Sequence, residues 1–198
     1  PVDGMSGSAR SGDWHIGIIA DTLLGDSDIT NNGDITIAGG EMGYGLVART
    51  DSLTVYYDCP PPYDNGNYVC WEPTVGGGNA TITNSGDIEI TLTASQDYAN
   101  NFGTGIVAGT GKYGGNAGVR NSGDITIDAG KGSANGIAAS SNGKYSLGVT
   151  YVSNSGDIVL TASEFATGIS ARSINEVIVL NSGDITVTTE DDRATGIY

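Results

Sequence analysis

This chain of 198 residues is poor in the side chains most often recruited for chemistry: one histidine, two cysteines, and eight basic residues against 23 acidic ones. His15 has Asp13 nearby but no serine constellation to join, so nucleophilic catalysis of the serine–histidine kind is unsupported. The formal net charge of −15 argues against nucleic acid or an anionic membrane surface as partner and implies a well-solvated acidic exterior. Neither a long apolar run nor a charged leader segment is visible, so the sequence reads as soluble, with its targeting information elsewhere. Helical periodicity is lacking too, and what remains is a glycine-rich, strand-forming chain with 32 glycines and 38% hydrophobic residues.

What is present is repetition. The phrase Asn-x-Gly-Asp-Ile-x-(Ile/Leu/Val) occurs five times, beginning at Asn31, Asn84, Asn121, Asn154 and Asn181. Successive copies are 53, 37, 33 and 27 residues apart, so the shortest interval sets a minimal coil of about 27 residues and the excess measures insertions. A second phrase, Gly-(Ile/Leu)-x-Ala, falls once per interval, starting at Gly17, Gly45, Gly105, Gly136 and Gly168, and Gly196-Ile197 begins a sixth. A β-branched residue stands two positions before every repeat asparagine: Ile29, Ile82, Val119, Val152 and Val179. Three short alternating runs per coil, broken by Gly, Asn, Asp and Ser, predict three strands per coil. Stacked about 4.8 Å apart, such coils place Ile35, Ile88, Ile125, Ile158 and Ile185 in one apolar column. The expected fold is all-β, a right-handed parallel β-helix, since the six-residue period of left-handed hexapeptide coils is missing. A single solenoid over residues 1–198 is expected, as an excerpt of a longer chain, because open strand edges at both ends call for caps.

The corner phrase carries two further expectations. Asn and Gly are read as supplying left-handed backbone at a tight turn, with Asn31, Asn84, Asn121, Asn154 and Asn181 bonding to one another as an asparagine ladder. Asp34, Asp87, Asp124, Asp157 and Asp184 stack likewise, and facing carboxylates at about 5 Å would repel by roughly 3 kcal/mol per pair at an effective dielectric near 20. Each aspartate must therefore point outward and accept turn amides, or Ca²⁺ must bridge the coils. Amide bonding is the favoured reading, with no metal and no cofactor, because the Gly-Gly-x-Gly-x-Asp nonapeptide of calcium-binding rolls is absent.

One coil is irregular. Gly45 to Asn84 covers 39 residues where the same leg elsewhere covers 13 to 18, so an inserted loop spans about residues 50–78. It holds both cysteines, Cys59 and Cys70, with three consecutive prolines and the aromatic residues Tyr56, Tyr57, Tyr63, Tyr68 and Trp71. A local disulfide is favoured over a zinc pair, for which further ligands are wanting; closure of so short a loop would contribute about 3 kcal/mol and imply an oxidising compartment. The five aromatic residues, flanked by acids, are candidate ligand-binding residues for stacking on a sugar or docking a protein, against the alternative that they cover a flank of the helix.

Coils running Gly-Ile-x-Ala, a Val/Ile strand, then Asn-Ser-Gly-Asp-Ile-x-Val resemble the passenger regions of bacterial autotransporters and related β-helical adhesins, over nearly the whole chain. The resemblance implies secretion across a Gram-negative envelope and display at the cell surface, with any membrane contact made by a barrel outside this segment. It is specific for architecture and weak for activity, because such passengers share the helix and differ in what they carry. The expectation is a noncatalytic adhesin or structural stalk, facing a host-cell, glycan or sister-cell surface, with self-association as a further partner. Three alternatives stand beside it: a polysaccharide-active enzyme with its site outside this segment, a filament subunit, and an ice-binding solenoid. Asp191-Asp192 lacks the flanking residues of a polygalacturonase acid pair, and the row Thr36, Thr126, Thr186 that ice binding would use is interrupted by Glu89 and Val159.

Overall fold

The computed structural model describes residues 5–8, 14–23, 25–51, 56–58, 69–71, 77–93, 101–142, 148–190 and 192–198, the short segments 5–8, 56–58 and 69–71 by their backbone. It is a right-handed parallel β-helix of three parallel sheets, with no helix among the described residues. Sheet I stacks Met5–Ser8, Ile35–Ala38, Ile88–Thr91, Ile125–Asp128, Ile158–Ala162 and Ile185–Thr189. Sheet II stacks Trp14–Thr22, Met42–Thr50, Phe102–Thr110, Ser133–Ser141, Ala166–Ser173 and Ala194–Ile197. Sheet III stacks Ser27–Asn31, Ala80–Asn84, Ala117–Asn121, Val149–Asn154 and Glu176–Asn181. Taking one strand from each in turn defines coils 1 to 5 and the first two strands of coil 6. Coil 1 opens with Met5–Ser8, paired in register with Ile35–Ala38. That segment lacks the repeat phrase, and the sequence reading did not find it.

The register is that of the phrases. Ile35, Ile88, Ile125, Ile158 and Ile185 pair in succession, as do Ile37, Ile90, Ile127, Leu160 and Val187. From coil 2 to coil 5 these side chains are at most 3% exposed, and each contributes about 1.5–3 kcal/mol by leaving water. Leu46, Ile106, Ile137 and Ile169 from sheet II and Ile82, Val119 and Val152 from sheet III close the core, every one of them buried.

The corner between sheets III and I corrects the conformational expectation. No described residue other than glycine has positive φ, and the positive-φ glycines are Gly25, Gly39, Gly40 and Gly130, none of them in the repeat phrase. The corner glycine is needed for space instead. A Cβ on Gly86, Gly123, Gly156 or Gly183 would lie inside van der Waals contact of the carbonyl of the corner glycine one coil before, backbone that cannot move aside. Sheet II repeats the argument: a Cβ on Gly45, Gly105 or Gly136 would sit 2.5–2.7 Å from the glycine carbonyl oxygen of the next coil and 2.7–2.8 Å from the Cγ2 of that coil's column isoleucine. These glycines let the wall of sheet II close onto the isoleucines of sheet I.

A hydrogen-bonded column ties the coils together at the corner between sheets III and I. Asn31 Nδ2 donates to Asn84 Oδ1 at 2.8 Å, Asn84 to Asn121 at 2.8 Å, Asn121 to Asn154 at 2.7 Å and Asn154 to Asn181 at 2.8 Å. Each amide also donates to the carbonyl of its own corner glycine at 2.5–2.6 Å. Asn31, Asn84, Asn121 and Asn154 are at most 4% exposed, so these are interior bonds, each worth about 1 kcal/mol net and more if one partner is orphaned. Between sheets II and III hydroxyls fasten the corner: Thr50 donates to the Gly78 carbonyl and Thr110 to that of Gly115 within their own coils, and Ser141 and Ser173 donate to the carbonyls of Gly115 and Gly148 one coil before.

Candidate functional site

The inserted loop leaves sheet II at Thr50 and rejoins sheet III at Ala80, so it sits on the corner between those sheets in coil 2. Its described backbone is an antiparallel ribbon, Tyr56–Asp58 against Val69–Trp71, in a fold whose other pairings are parallel. The register sets Tyr56 opposite Trp71, Tyr57 opposite Cys70 and Asp58 opposite Val69. Three of the five candidate aromatic residues, Tyr56, Tyr57 and Trp71, are thereby brought onto one two-stranded unit. Tyr63, Tyr68 and Cys59 lie outside the described residues, as do the side chains of the ribbon, and the Cys59–Cys70 pairing with them. The composition of the loop marked the insertion; its ribbon was not legible, because strands of three residues are too short to show alternation.

The aspartate column runs beside the asparagines on the outside of the solenoid. Asp34 Oδ1 accepts the backbone N–H of Asp87 at 2.9 Å, Asp87 that of Asp124 at 2.9 Å, Asp124 that of Asp157 at 2.8 Å and Asp157 that of Asp184 at 2.9 Å. The first four carboxylates thus each take a charge-assisted bond from the next coil, and all five aspartates face solvent, where water screens their mutual repulsion. The other exposed corner is built alike from residues the sequence reading passed over: Asp26 Oδ1 accepts the N–H of Asn79, Asn79 Oδ1 that of Asn116, and Asn116 Oδ1 that of Val149, at 2.7–2.8 Å. Among the described residues no group of three or more His, Cys, Asp and Glu is disposed to hold a metal ion.

The remaining sequence candidates are dispersed. His15 points inward on coil 1, in register with Gly43, and its Nε2 is buried without a hydrogen-bond partner. Asp192 is exposed in the turn before Ala194–Ile197, and Asp191 lies outside the described residues. Thr36, Glu89, Thr126, Val159 and Thr186 share one outward row, so the threonine rank is broken in the folded chain as in the sequence.

Aromatic residues outside the loop matter more than the sequence suggested. On the outer face of sheet II, Trp14, Tyr44 and Phe102 form a zigzag with ring centroids 6.4 and 6.0 Å apart, Trp14 being 66% exposed. On sheet III the Arg120 guanidinium lies 5.6 Å from the centre of the Tyr151 ring. These rings come from different coils and meet only through stacking.

Compared with protein-family models, with curated proteins and with solved structures, the chain matches none of them.

Proposed function

We propose that this chain is a noncatalytic, surface-displayed rod of the autotransporter-passenger kind, an adhesin or stalk in which the β-helix supplies reach and the 50–78 insertion supplies recognition. The observation that carries the reading is the division of the molecule into two unlike parts. The coils are held by an uninterrupted apolar column and by side-chain columns at both ends of sheet III, a rigid scaffold that gains about 4.8 Å of length per turn. The insertion interrupts none of those columns and gathers Tyr56, Tyr57 and Trp71 on a ribbon that the fold does not need. Binding residues are commonly set on loops held by such scaffolds, and rigid aromatic side chains give large contact area at small entropic cost.

In this reading the partner is a host-cell, glycan or sister-cell surface, the compartment is extracellular, and Cys59 bonds to Cys70 to stiffen the loop. Replacing the residues between Thr50 and Gly78 by a short turn should leave circular dichroism and display unchanged and abolish attachment, as should the triple variant Tyr63→Ala, Tyr68→Ala, Trp71→Ala. Undiminished attachment would refute recognition by the loop and leave only a stalk. The disulfide fails if alkylation without reductant adds mass at two thiols.

A further inference from the structure

We propose that the outer face of sheet III carries a second, shallow binding site, for a neutral saccharide, centred on Gly118 and Tyr151. The argument begins with a glycine that the fold does not require. Gly118 is the second residue of Ala117–Asn121, has no positive φ and points outward, between Thr81 on coil 2 and Tyr151 on coil 4. A Cβ built there would meet only Thr81 Cγ2, at the ordinary distance of 3.6 Å, whereas the corner and wall glycines would drive theirs into backbone. Glycine inside a strand is destabilising relative to alanine and often marks a place where something approaches the backbone closely. Gly109 is equally unhindered, but its neighbours in register are Arg49 and Ser140, with no ring beside it.

The missing side chain opens a trough. Two hollows of about 270 and 330 Å³ meet over Thr81, Gly118 and Tyr151, each near the lower end of the size range of small-ligand sites. Tyr151 lines both, with the Arg120 guanidinium near its ring. The larger hollow is edged by Asp28 and Asn116. Asn116 uses its Oδ1 on the Val149 N–H, which leaves Nδ2 as a donor without a partner among the described residues. Asp28 accepts the Thr81 hydroxyl on Oδ1 and keeps its second oxygen as an acceptor.

An aromatic wall with an acceptor and a donor at its edge suits a pyranose, whose C–H face lies on a ring while neighbouring hydroxyls donate to a carboxylate and accept from an amide. Asp26 and Asp28, within a chain of net charge −15, disfavour acidic sugars there. The trough lies on coils 1 to 4 of sheet III and uses none of residues 50–78, so its test and that of the loop are separable.

The test is a backbone-amide chemical-shift titration of the isotope-labelled chain with glucose, galactose, N-acetylglucosamine, lactose and cellobiose, with glucuronic acid as the charged control. Saturable shifts confined to Thr81, Gly118, Tyr151 and their neighbours are expected with at least one neutral sugar. Gly118→Val, which fills the trough from an unhindered position, and Tyr151→Leu should each weaken that binding by roughly tenfold or more without a fall in melting temperature. The loop-deleted chain should bind unchanged. Absence of saturable shifts at these amides, binding that survives Gly118→Val, or tighter binding of glucuronic acid would each overturn the proposal.

Discussion

Gly123 and Gly118 stand five positions apart, on neighbouring stretches of coil 3, and the same substitution at the two should act in opposite directions. At Gly123 an alanine Cβ would sit 2.5 Å from the Gly86 carbonyl carbon and 3.1 Å from the Asp87 nitrogen, with the carbonyl oxygen closer still. The obstacle is backbone, so coils 2 and 3 must part at this corner. Parting them strains the Asn84–Asn121 bond at 2.8 Å and the bond from the Asp124 N–H to Asp87 at 2.9 Å. Overpacking of about 1–3 kcal/mol, with about 1 kcal/mol for the neutral bond and 1.5 or more for the charged one, sets the loss at roughly 4 kcal/mol. At Gly118 the Cβ has room and φ is not positive, so alanine should gain about 0.4–1 kcal/mol by restricting the unfolded chain. For a chain of this size these correspond to a melting temperature lowered by about 8–16 °C for Gly123→Ala and raised by about 1–4 °C for Gly118→Ala. Thermal unfolding followed by circular dichroism measures both. If Gly123→Ala melts with the parent, or Gly118→Ala falls as far as Gly123→Ala, close approach is not what fixes these glycines and the reasoning fails.

Three further outcomes follow from the columns. Asn121→Ala strips Asn84 Nδ2 of its acceptor and Asn154 Oδ1 of its donor inside the solenoid, and urea unfolding should show a loss of about 2–4 kcal/mol; a loss under about 1 kcal/mol would mean that water replaces the ladder. Ile125→Asp puts an unpaired carboxylate where the isoleucine is 0% exposed and should cost at least about 5 kcal/mol, against about 1 for Ile125→Val; near-equal melting of the two would contradict the register of sheet I. Because backbone amides already satisfy one oxygen of Asp34, Asp87, Asp124 and Asp157, EDTA should leave the melting temperature unchanged, and a large fall restored by Ca²⁺ would show that the column is held by metal.

The candidate sites were unevenly legible. The insertion stood out because one interval in the repeat is too long and because tyrosine and tryptophan concentrate there. Its ribbon did not, nor did the trough, since Thr81, Gly118 and Tyr151 are 37 and 33 residues apart in sequence and form one surface only by lying in successive coils. Gly118 carries no signature of its own among 32 glycines. What separates it from Gly123 is the distance to the coil below, a property of the stack.

By itself the sequence determined the architecture. A repeated phrase forces each copy into the same local environment, so period, strand count, inward face and register followed from spacing and alternation alone, and the asparagine, aspartate and isoleucine columns with them. Tertiary structure decided the rest. It assigned the corner glycines to close approach and not to left-handed backbone, because a steric limit between coils depends on atoms dozens of residues away. It added Met5–Ser8 to sheet I without any repeat phrase, since an edge strand can be recruited by backbone hydrogen bonds, which do not read side chains. And it made neighbours of Arg120 and Tyr151, and of Trp14, Tyr44 and Phe102, because in a solenoid the residues that share a surface come one from each turn.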